Sequence, residues 1–158
     1  MRAPALLMIC VSLALGACGG VSVPNPNDDR QTLEDFAVSV KAWSKAHTLW
    51  SAALNNASEK QVLKLAATQV ATMRRAGKRI AAEVSSLDDK ELKQALTPMV
   101  TAVDDIQSTT ENVVKALHTH NQGAYAKALI AYQRAAADAV RRQQEVSDFL
   151  QKRIDQIG

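Results

Sequence analysis

The amino-acid sequence predicts an all-α fold: an antiparallel up-down-up-down four-helix bundle that follows a signal segment and a short flexible tether. Three observations carry that expectation. Helix formers, alanine above all, dominate after residue 30, while the whole chain of 158 residues holds only 6 Gly and 4 Pro and is 4% aromatic, a composition unlike that of a sheet protein. Apolar residues recur at steps of three and four in successive tracks, the spacing that lines one side of a helix. The breaks between tracks are short, and short connections join helices as antiparallel neighbours.

The first element, residues 1–17, reads as a signal peptide. Arg2 supplies a minimal positive start, and the apolar run from Ala5 to Leu15 is too short to span a bilayer and ends in small residues suited to cleavage. The junction Leu15-Gly16-Ala17-Cys18 resembles the lipobox of bacterial lipoproteins: an aliphatic residue, two small ones, then the cysteine that is lipidated before the signal is cut. That resemblance implies a diacylglycerol on the Cys18 thiol and commonly a third acyl chain on its amine, an attachment far firmer than a single myristoyl group. It also implies an outer-membrane address, because the residue after the cysteine is Gly19 rather than the Asp that favours inner-membrane retention. The other cysteine, Cys10, leaves with the signal, so the mature chain is expected to hold no disulfide.

Residues 18–30 carry Pro24 and Pro26 and no amphipathic period, which predicts a lipidated tether. The bundle domain is then 31–158. Helix one carries Leu33, Phe36, Val40, Trp43, His47, Trp50 and Leu54, with only His47 breaking the apolar rule, and stops at Asn55-Asn56. Ser58 and Gln61 form a capping box for helix two, whose seam runs through Val62, Gln69, Met73, Ile80 and Val84. Ser86 or Asp88, with Asp89 and Glu91 close behind, supplies a stop and an acidic start for helix three, which carries Leu92, Leu96, Met99, Val103, Ile106, Thr110, Val113 and Leu117. Pro98 predicts either a kink or a restart of that helix. Residues His118 to Gly123 break the pattern again, with Gly123 expected as a left-handed cap. Helix four runs from Tyr125 through Leu129, Tyr132, Ala136, Val146 and Leu150. Gly123, Tyr125, Ala128, Tyr132 and Ala135 resemble half of a tetratricopeptide repeat, but no second copy stands at the required period.

In such a bundle the seams turn polar at one height, where His47, Gln69, Thr110 and Tyr132 (or Gln133) are expected to form a layer that fixes register. The alternative is a small-ligand or haem pocket with His47 as anchor, although no Cys-x-x-Cys-His motif accompanies it. Arg74, Arg75, Lys78 and Arg79 form the densest basic cluster, expected on a solvated face and available to anionic lipid or an acidic partner. Trp43 and Trp50 are expected to fill the core opposite Ala135, Ala136, Ala137 and Ala139. His118 and His120 stand two apart, which points them to different sides of a helix, so no metal site is expected. No nucleophile elbow, P-loop or Glu-x-x-His pair occurs. The formal charge of +3 includes Arg2, and this weak balance does not call for nucleic acid.

These features together lead to the expectation of a membrane-anchored, periplasmic or surface-facing lipoprotein. It is expected to be non-enzymatic, to need no cofactor beyond the lipid on Cys18, and to bind another envelope protein. The alternative function is a small-ligand or haem carrier built on the polar layer around His47.

Overall fold

A computed structural model describes residues 28–157. The signal segment, Cys18 and the greater part of the 18–30 stretch lie outside the described residues. The chain forms four helices, α1 (Asp28–Asn56), α2 (Glu59–Ser86), α3 (Lys90–His118) and α4 (Gln122–Ile157), and among the described residues there is no strand. Sequential helices pack against one another, α1 on α2, α2 on α3 and α3 on α4, which makes an all-α four-helix bundle. No helix of the described residues is long and apolar enough to cross a membrane.

The seam residues expected from the apolar period form the core. Phe36, Val40, Trp43 and Trp50 of α1 meet Met73, Ile80 and Val84 of α2, Leu96, Val103, Ile106 and Val113 of α3, and Tyr132 and Val146 of α4. Trp50, Met73, Ile80 and Val113 are wholly buried. A Cβ on Gly77 would stand 3.1 Å from Val103 Cγ1, so the absent side chain is what allows α2 and α3 to approach there.

The fourth side of the bundle differs from the other three. Among the described residues no Cα of α1 lies within 8 Å of one of α4. That side is bridged by large side chains, Trp43, His47 and Tyr132, which reach across from backbones held apart.

Four expectations need correction. First, α1 begins at Asp28, inside the stretch assigned to the tether, and Asp29 is buried. Its carboxylate accepts from the backbone N–H groups of Asp88 (2.9 Å) and Asp89 (3.1 Å), donors exposed at the start of α3, so a long-range contact rather than local pattern starts the helix early. Second, α3 does not restart at Pro98; it runs through as one helix. Buried Leu96 and Val103 hold both flanks, and the Thr97 hydroxyl donates to the Lys93 carbonyl at 2.7 Å.

Third, Gly123 is not the left-handed cap. His120 takes that conformation, with φ of 49°, and Gly123 lies inside α4. The His120 N–H donates to Leu117 O and the Asn121 N–H to Ala116 O, the paired bonds that end a helix in a Schellman turn. Asn121 then caps α4, its side chain accepting from the Ala124 N–H at 2.9 Å. Fourth, the apolar tracks predict helices of nearly equal length, whereas α4 has 36 residues against 28 in α2, about 12 Å of extra rise.

The capping box expected at the start of α2 is in place, and at the acidic start of α3 the cap is Asp89, where the sequence points to Ser86 or Asp88. The Ser58 N–H and hydroxyl both donate to Gln61 Oε1 at 3.0 Å, and Asp89 accepts from the Leu92 N–H at 3.0 Å.

Candidate functional site

Of the residues expected to form a polar layer, the structure brings two together. His47 on α1 and Tyr132 on α4, both buried, share a hydrogen bond of 2.9 Å between Nε2 and Oη. The His47 ring stacks on Trp43 with centroids 5.0 Å apart and planes 10° from parallel. Burial lowers the His47 pKa to about 4, so the imidazole stays neutral well below its ordinary range. Burial likewise pushes the Tyr132 phenol up to about 12, opposed by a hydrogen bond from the Ser51 side chain. Ser51 is therefore a member of the group that the apolar period did not single out; it sits next to a seam position and one helical turn from His47.

Thr110 and Gln69 do not join this pair. Thr110 is wholly buried and its Oγ1 has no hydrogen-bond partner among the described residues. Gln69 is half-buried. The α3 residues lining the space beside His47 are Met99, Ala102, Val103 and Ile106, so at that height α3 presents an apolar wall.

That space is a cavity of about 30 Å³, closed on the α4 side by Ala136, Ala139 and Gln143. Trp43 and these alanines line it together, the juxtaposition of large and small residues expected from sequence. Its volume is that of one water molecule, whereas small-molecule sites occupy about 300–1,000 Å³. The indole N–H groups of Trp43 and Trp50 are buried with no partner among the described residues, so the bulk of the interior around His47 is apolar.

A second space lies at the end of the bundle opposite the start of α1, between the α1–α2 and α3–α4 connections. It has about 340 Å³, a floor of Leu54, Val62, Leu117 and Tyr125, and opens to solvent past Glu59 and His120. His120 Nδ1 stands 3.0 Å from Glu59 Oε1. No local pattern announces this pocket, because it depends on two loops meeting. Among the described residues no three His, Cys, Asp or Glu side chains gather as metal ligands.

The basic cluster on α2 divides. Arg74 turns toward α3 and pairs with Glu111 at 2.8 Å, and this contact holds the Glu111 carboxyl below its usual range. Arg75, Lys78 and Arg79 are exposed and stand in no ion pair among the described residues. Elsewhere the arginines find acids on their own helix: Arg30 with Glu34, Arg141 with Asp138 and Glu145, and Arg142 with Asp138, whose carboxyl is held low first by Arg142 and then by Arg141.

Compared with protein-family models, curated proteins and solved structures, the chain matches none. The functional reading therefore rests on the amino-acid sequence, the four-helix bundle and the side chains described above.

Proposed function

We propose that this chain is a lipid-anchored, non-enzymatic protein of the bacterial envelope, held at the outer membrane through Cys18, whose bundle exterior binds another envelope protein. The observation that carries the binding half is the filled interior. The polar pair at its centre is satisfied internally, and the cavity beside it holds about 30 Å³, too little for haem or a metabolite. The larger space of about 340 Å³ opens on the surface, where a partner's side chain can enter. The anchoring half rests on Leu15-Gly16-Ala17-Cys18, which lies outside the described residues. This reading is favoured over the carrier built on His47 by the same lack of room.

The test is to express the full chain with a C-terminal tag in a bacterial host, fractionate the membranes and purify the protein from them. The expected result is an outer-membrane species whose N-terminal peptide is acylated Cys18, recovered with one envelope protein above background. An unmodified Cys18 overturns the anchor. Recovery of no protein above background overturns the partner, and a bound chromophore or a thermal shift with small ligands replaces it with the carrier.

A further inference from the structure

The outward face of α2 is charged in one sense only. It presents Lys60, Lys64, Arg75, Lys78 and Arg79, all exposed, whereas the two acids of this helix are turned elsewhere: Glu59 toward His120 and Glu83 toward Ser39, whose hydroxyl donates to it at 2.8 Å. Spacings of three and four put Arg75, Lys78 and Arg79 within reach of one another, and like charges at that spacing oppose the helix that carries them. Arg30 on α1 and Arg141 and Arg142 on α4 stand beside acids of their own helix, and Arg74 of α2 reaches Glu111 on α3. Arg75, Lys78 and Arg79 have no such partner among the described residues, so an external acid is what would supply it.

The geometry points to the outward face of α2 as the docking surface for a partner protein through an acidic helical segment. This rests on the partner reading above and names the surface and the chemistry that reading leaves open. From Lys60 to Arg79 the cations span about 28 Å along the axis, the length of about five helical turns of a partner lying alongside. Between them the face carries Ala67, Ala71 and Ala82, exposed and small, which lets a second helix come close enough for Asp or Glu side chains to meet the flanking cations.

An anionic lipid surface fits this face less well. Residues that insert into lipid are large and apolar, and here they are alanines. The bundle end from which the chain leads back toward Cys18 is of mixed charge, with Asp88, Asp89 and Glu91 beside Arg30, Lys90 and Lys93, so no basic surface there favours an end-on approach to anionic headgroups.

A photo-crosslinking amino acid placed at Ala71 or Ala82 of the full chain, in cells, tests the proposal against the same probe at Thr101 or Ser108 on the exposed face of α3. The expected adduct forms from α2, and its crosslinked peptide carries Asp or Glu at three- and four-residue spacing. The triple reversal R75E/K78E/R79E should lower its yield about tenfold or more, and Lys in place of the partner's acids should restore it. A neutralising triple to Gln, with helix content checked by circular dichroism, gives the same readout if the reversal folds poorly. Adducts with lipid alone, or a yield indifferent to both triples, overturn the surface. A protein adduct from α3 but not α2 overturns the surface and leaves the partner reading standing. No protein adduct from any position overturns both.

Discussion

Lowering the pH from neutrality should weaken this fold, and His47 sets the size of the effect. In the folded chain its pKa is about 4; unfolded, it returns to 6.5. Between these values the unfolded chain binds a proton that the folded chain refuses, so stability is full above the unfolded value and falls as pH drops through the interval. At 1.36 kcal/mol per pH unit the whole interval amounts to about 3 kcal/mol, and about 2 kcal/mol of it is lost between about pH 7.5 and about pH 5. Glu111 and Asp138 have pKa values held below their unfolded values of 4.5 and 3.8, so what they contribute is lost as pH falls below those values, under the range in which the first 2 kcal/mol go. Urea unfolding across that range measures the loss directly, with His47→Gln as the reference, since Gln keeps a polar group opposite Tyr132 and does not titrate. The wild-type midpoint should fall with acid while the variant's should stay nearly level. A flat wild-type profile, or an equal slope in the variant, would refute the buried neutral imidazole.

Three further substitutions follow from particular contacts. Asp29→Ala removes a buried carboxylate from two backbone donors at the start of α3 and should cost about 2–4 kcal/mol in denaturant unfolding. Thr110→Val keeps the shape and removes a wholly buried hydroxyl that has no partner, so stability should rise by about 1 kcal/mol; a fall would mean that the hydroxyl is in fact satisfied. Pro98→Ala restores a backbone donor inside α3 and should raise the unfolding free energy by about 1–3 kcal/mol in urea titration, with slower amide exchange around residues 94–98 as the local sign.

The bundle was legible because its helices are specified by period and punctuation that act within a few residues: the seam positions of α1 to α4, the Asn55-Asn56 stop, and the capping box at Ser58. What the sequence hid depends on groups far apart in the chain. Asp29 looks like part of a polar linker until Asp88 and Asp89 offer it their N–H groups. His120 takes the left-handed turn although a glycine stands three residues on, because the spacing of the carbonyls on α3 decides which residue must turn. The polar layer was half visible. His47 and Tyr132 broke their seams and do meet, whereas Ser51 lies beside a seam and Thr110, which breaks one, finds no partner.

The side between α1 and α4 shows which force sets the width of the bundle. Trp43 and Trp50 are buried with their indole N–H groups unpaired among the described residues, and leaving such a donor dry costs about 1–3 kcal/mol. Burying an indole removes about 200 Å² from water, which at about 25 cal/mol per Å² contributes about 5 kcal/mol and exceeds that cost. The rings therefore stay in, and since they are larger than the gap that close helices leave, α4 stands back from α1, with Ala136 and Ala139 lining the space beside Trp43. His47 and Tyr132 then span what remains, which is why the polar contacts described across this side, from His47 and from Ser51, both run to the long Tyr132 ring. Protonating His47 acts on the side with no close backbone approach, so the acid-induced loss should begin with α1 and α4 parting rather than with α2 and α3, whose approach at Gly77 is tight.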